Sequence, residues 1–165
     1  QALGKQIIQY LTPLIKEGKV KLCMVAATHK DAAIGFSKTA IENGLSEKEV
    51  EVVFCKSKDE YFKRFTEVLR KTDILWTKPS ELSFYAALGI PLLLSPPIGS
   101  QEVQNQKWLT RLGSAIPQLK VEYAGEWIVD FLNQGLFAEA AIQGFVEMER
   151  NGAANIANVI ESNGD

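Results

Sequence analysis

Short apolar runs of strand length alternate with stretches of helical periodicity along the first two thirds of the chain, and this alternation limits the fold more than any other feature. The opening segment repeats apolar residues at helical spacing through Leu3, Ile7, Ile8, Leu11, Leu14 and Ile15, then stops at Gly18. Residues 20–26 follow as a Val- and Leu-containing run that reads as a buried parallel strand. Residues 31–43 return to helical spacing through Ala33, Phe36, Ala40 and Ile41, and Asn43 and Gly44 end them. The cycle repeats with a strand at 50–54, a helix carrying Tyr61, Phe62, Phe65, Val68 and Leu69 on one face, and a strand at 73–76. A helix at 80–88 and a strand at 91–95 complete it. Short connections between such elements predict right-handed crossovers, and so an α/β fold with a Rossmann-like parallel sheet flanked by helices. Beyond Gln101 only helical patterns are convincing, at 103–112, 125–133, 136–150 and 153–161, which predicts an all-helical C-terminal region.

A chain of 165 residues fits one domain, with a sheet core over 1–120 and a helical tail over 121–165. Phe131, Leu132, Leu136, Phe137, Ala140, Ala141 and Phe145 make that tail too apolar to lie free in water, so it is expected to pack on the core or on a partner chain. The net charge of −2 argues against recognition of nucleic acid over a broad surface. Cys23 and Cys55 lie inside apolar runs and read as reduced core residues. No run approaches the roughly 18 to 20 apolar residues of a membrane span. The chain opens on Gln1 and enters a helical pattern at once, which reads as a cut inside a longer protein.

In open α/β sheets ligands lie beyond the carboxyl ends of the strands, which points to residues 27–30, 55–59, 77–83 and 96–105. Thr77, Lys78, Ser80 and Ser83 place hydroxyls and a flexible positive charge where a strand gives way to a helix, with Ser80 as N-cap, a set suited to a diphosphate. A simple capped helix with Lys78 in solvent is the alternative. Two prolines and Gly99 shape the next loop, where Gln101, Glu102 and Asn105 share one helical face and match the donors and acceptors of sugar hydroxyls. An exposed polar first turn is the competing reading. His29, the one histidine, has no recognisable triad or zinc partners, so no metal site is expected. The glycine-rich signatures of P-loops and dinucleotide folds do not occur. Trp76, Trp108 and Trp127 read as core or interface, while Phe54 at a strand end is placed to wall a base pocket.

The run from Thr72 to Ser80 (Thr-Asp-Ile-Leu-Trp-Thr-Lys-Pro-Ser), then Ala86-Ala87-Leu88-Gly89-Ile90-Pro91 and Gln101-Glu102-Val103-Gln104-Asn105, resembles the carboxyl-terminal half of GT-B glycosyltransferases. The similarity is greatest to the group of the peptidoglycan N-acetylglucosaminyl transferase and monogalactosyldiacylglycerol synthase, and it covers residues 50–116. The resemblance implies a donor half that binds a nucleotide-sugar, a UDP-sugar for preference, as donor substrate with no covalent cofactor. It places Phe54 and Cys55 near the base, the loop with Thr77, Lys78, Ser80, Glu81 and Ser83 on the diphosphate, and Gln101, Glu102 and Asn105 on the sugar. The acidic position that holds the ribose in that family falls on Phe84 here, and either Glu81 or the shifted loop, about two residues shorter than in that family, is left to replace it.

The acceptor site and catalytic base of such enzymes belong to an N-terminal half that this sequence does not contain, so the chain alone is expected to be inactive. The resemblance further implies metal-independent inverting transfer and a cytoplasmic location, with membrane association open to the full-length protein. The expected partners are the nucleotide-sugar, the missing N-terminal domain and, through the tail, a second copy. The competing reading is a noncatalytic Rossmann-like module for interaction or oligomerisation that has lost nucleotide-sugar binding. An epimerase of the same fold ranks third.

Overall fold

The computed structural model describes residues 2–80 and 82–162. It has parallel β-strands with helices packed against them, and a helical C-terminal region, as the alternation predicts. The described residues form two compact bodies: residues 2–72 with 119–133, and residues 73–118 with 134–162.

In the first body, α1 (Ala2–Lys16) buries Ile7, Ile8, Leu11, Leu14 and Ile15, the apolar stripe read from its spacing. β1 (Leu22–Ala27) and β2 (Val50–Phe54) pair in parallel in register Leu22 with Val50 through Val25 with Val53, and the register then slips so that Ala27 faces Phe54. At the slip Ala27 has φ 50°, a left-handed conformation that side chains with a Cβ rarely adopt. α2 (Lys30–Glu42) connects the two strands and buries Ala32, Phe36 and Ala40. α3 (Lys58–Leu69) starts at a capping box. There the N-cap Ser57 hydroxyl accepts the Glu60 N–H at 3.2 Å, and the Glu60 carboxylate reaches one residue past the box's usual partner to accept the Lys56 N–H at 2.8 Å. The aromatic face expected on α3 is only partly covered, with Phe62 63% exposed. Glu51 on β2 and Glu67 on α3 hold Arg64 at 2.6 and 2.7 Å. A short 3₁₀ turn and α6 (Ala124–Asn133) pack on α1, where Trp127 is buried and donates its indole N–H to the Lys120 carbonyl at 2.9 Å.

In the second body, β3 (Leu75–Thr77), β4 (Leu92–Leu94) and β5 (Ala115–Pro117) lie side by side in that order, all parallel. Leu92, Leu93 and Leu94 are all buried, so β4 is covered on both faces as a central parallel strand must be. With Leu82, Ala86, Leu109, Ala115 and Met148, Leu92 and Leu94 make a single apolar core. α5 (Ser100–Arg111) packs on β5, and α7 (Leu136–Glu147) packs on β4, β5 and α4 (Ser83–Ala87). α7 approaches α4 closely at Gly144, which lies over the Ala86 backbone. α8 (Gly152–Ser162) buries none of its residues, and Ile156 and Ile160 stand 63% and 69% exposed.

Two expectations are corrected here. The helix expected over 80–88 is only five residues long, because Lys78, Pro79 and Ser80 form a tight turn and the helix starts at Ser83. A strand also occurs where only helix was expected. Residues 115–117 are too few for any periodicity to register, and they pair because Gly113, at φ 73°, turns the end of α5 back along β4.

Candidate functional site

The loops that leave the carboxyl ends of β3 and β4 in the second body are tied to each other. The Thr77 carbonyl accepts both the backbone N–H of Ser95 at 2.9 Å and its hydroxyl at 3.0 Å. Ser95 is 5% exposed, so its hydroxyl needs a partner inside the protein, and the end of the neighbouring strand provides it. Past Thr77 the chain makes a three-residue turn in which the Ser80 N–H donates to the Lys78 carbonyl at 2.8 Å. Pro79 stands at its centre, where the fixed φ of the proline ring suits an inverse γ-turn, and its side chain is fully buried. Asn105, on the second turn of α5, donates its side-chain N–H to the Ser80 carbonyl at 2.9 Å.

The predicted residues of this body are thereby sorted. Thr77, Lys78, Ser80 and Asn105 are brought together by the bonds above, with the side chains of Lys78 and Ser80 exposed. Ser83 and Gln101 are exposed at the first residues of α4 and α5. Glu102 turns back on its own loop, where its carboxylate accepts the Ile98 N–H at 2.8 Å and closes the entry to α5 behind Gly99. Glu81 lies outside the described residues. Ser80 is not the N-cap that its position suggests: Leu82 occupies that place and makes no side-chain capping bond. A five-residue helix has little macrodipole to offer an anion, so the polar groups presented there belong to the turn itself. Ser95, which anchors the pair of loops, was not singled out from the sequence. The available signal is a serine closing an otherwise apolar buried strand, where its hydroxyl must find a partner.

In the first body, Phe54 ends β2 and is 38% exposed, whereas Cys55 beside it is 2% exposed and donates its N–H to the Ala27 carbonyl at 2.8 Å. Burial pushes the Cys55 thiol above its ordinary pKa, and the carboxylate of Glu60 adds to the shift. Phe54, Ile34 and Ile41, with Lys30 and Lys38, line an open recess of about 680 Å³. The sequence gives no sign that the outward face of α2 shares a recess with Phe54. His29 is exposed at the N-cap of α2 and makes no side-chain capping bond. Phe84, at the position where the resembling family carries an acid, is 63% exposed and meets Tyr85 edge to face at 5.6 Å. Among the described residues no three His, Cys, Asp or Glu side chains converge as metal ligands, and no helix is long and apolar enough to cross a membrane.

The chain is similar to a processive diacylglycerol beta-glucosyltransferase of Bacillus subtilis (strain 168), with 28% identity over 114 residues. The similarity covers 68% of this chain and 28% of that protein's length. It is a weak likeness, and it supports a relationship to glycosyltransferases. The chain matches no family model. No solved structure matches it.

Proposed function

We propose that the chain is the donor-binding part of a nucleotide-sugar-dependent glycosyltransferase of the GT-B type, and that a UDP-sugar is the donor. The observation that carries this reading is the hydrogen-bonded pairing of two loops at the carboxyl ends of adjacent parallel strands, with Lys78 exposed at the start of a fixed turn. The likeness to a glucosyltransferase favours a donor of this class. In this reading the diphosphate lies on the turn with Lys78, Ser80, Ser83 and the neighbouring Thr77, and the sugar meets Gln101 and Glu102 at the first turn of α5. The Lys78 ammonium and the turn stabilise negative charge as it develops on the departing diphosphate, without a bound metal. Removal of the acceptor proton needs a base, which in this reading comes from another part of a longer cytoplasmic protein, leaving the chain inactive alone.

Calorimetric titration of UDP and UDP-glucose into the full-length protein tests the proposal. Micromolar to millimolar binding that weakens about tenfold or more in Lys78→Ala is expected, and no heat of binding at millimolar ligand rejects it. A second reading, a noncatalytic module of the same fold, draws on the exposed aromatic ring of Phe84 at a position where ribose recognition would call for an acid. It is favoured if the protein self-associates in light scattering and binds neither nucleotide.

A further inference from the structure

The segment from Thr77 to Ser80 is restrained on every side. Two donors from Ser95 converge on the Thr77 carbonyl, Pro79 is fully buried, and Ser80 closes the turn onto Lys78. The remaining restraint comes from Asn105, whose amide N–H reaches the Ser80 carbonyl at 2.9 Å across 25 residues of sequence. An amide nitrogen committed in this way has one of its two hydrogens directed at the protein, which leaves the second N–H and the carboxamide oxygen for a ligand. Lysine alone is a flexible point charge. What makes it selective is a root whose direction is already set, because any ordering left to the moment of binding is subtracted from affinity.

We propose that Asn105 is a positioning residue for the diphosphate of the donor: its carboxamide N–H locks the Lys78–Pro79–Ser80 turn, and this, rather than a contact to the sugar, is its main contribution to binding. The inference deepens the donor-site reading and rests on it. Asparagine and aspartate have the same shape, so Asn105→Asp removes the donor and sets a carboxylate against the Ser80 carbonyl while leaving the packing volume unchanged.

The test uses the full-length protein, the variants Asn105→Asp and Asn105→Ala, and three probes: UDP, UDP-glucose and uridine. Hydrogen exchange across residues 78–83 is measured alongside. The expected result is that each variant weakens UDP and UDP-glucose by the same factor, about fivefold to tenfold, leaves uridine binding unchanged, and speeds exchange in 78–83. Weakening of UDP-glucose with UDP unaffected makes Asn105 a sugar contact and overturns the inference. Equal weakening of all three probes, or weakening without faster exchange in 78–83, also overturns it. Wild-type protein that binds neither UDP nor UDP-glucose overturns the donor-site reading, and this inference falls with it. The alanine variant carries the measurement if the aspartate variant does not fold.

Discussion

Gly144 on α7 lies so close to Ala86 on α4 that a Cβ at position 144 would stand 2.7 Å from the Ala86 carbonyl oxygen. Both residues are buried, and the obstacle is backbone, which cannot rotate away as a long side chain can. Gly144→Ala is therefore expected to cost about 1–3 kcal/mol through forced separation of the two helices, despite the better helix propensity of alanine. Urea unfolding read by tryptophan fluorescence measures it, and an unchanged midpoint contradicts the close approach.

Ser95→Ala removes the hydroxyl bond to the Thr77 carbonyl and leaves the backbone bond from the same residue in place. No buried donor is orphaned, so the loss is expected to be about 1 kcal/mol in unfolding free energy. UDP affinity is expected to fall in parallel if the loop pair is the donor site. A variant that loses several kcal/mol would mean that the serine supports more than this one carbonyl.

Ala27 offers the opposite case, a side chain in a left-handed backbone position. Ala27→Gly relieves roughly 1 kcal/mol of strain and incurs a comparable entropy cost in the unfolded chain. Its expected effect is within about 0.5 kcal/mol of zero, whereas Ala27→Val is expected to destabilise by at least about 1 kcal/mol. Thermal melts of the two variants side by side decide this.

Cys23 carries a thiol pushed up to about 11, first by burial and then by the carboxylate of Glu51. The folded protein therefore holds this proton after the unfolded chain has released it, and stability is expected to fall as pH rises from about 9 to about 11. Alkylation of Cys23 by iodoacetamide in the folded state should stay slow at pH 8 and accelerate only near the upper end of that range. Cys23→Ser should reduce the alkaline decline and leave the part that belongs to the raised thiol of Cys55, which a titration of the melting temperature reads directly.

Large periodic elements were legible in the sequence because burial on one stripe leaves a repeating mark, as Ile7, Leu11, Leu14 and Ile15 do on α1. The three leucines of β4 were legible for the complementary reason, since a strand covered on both faces has no polar side to alternate with. Where a few hydrogen bonds decide the outcome, the pattern carries little. β5 is three residues, and the turn at Pro79 defeats a helix that the composition of 80–88 otherwise favours. At the candidate site, the residue types at Thr77, Lys78 and Ser80 announced polar loops at strand ends. Their mutual fastening through Ser95 and Asn105 is a matter of tertiary distance, which one-dimensional spacing does not encode.

β4 is hydrogen-bonded along both edges and shut off from water above and below. Amides in such a strand open to solvent only when the whole body comes apart. The serine that ends it, and through that serine the neighbouring turn, inherits the same protection. On heating, the loops at this end of the sheet should accordingly lose their order in the same cooperative step as the leucine core, with no earlier, separate transition of their own.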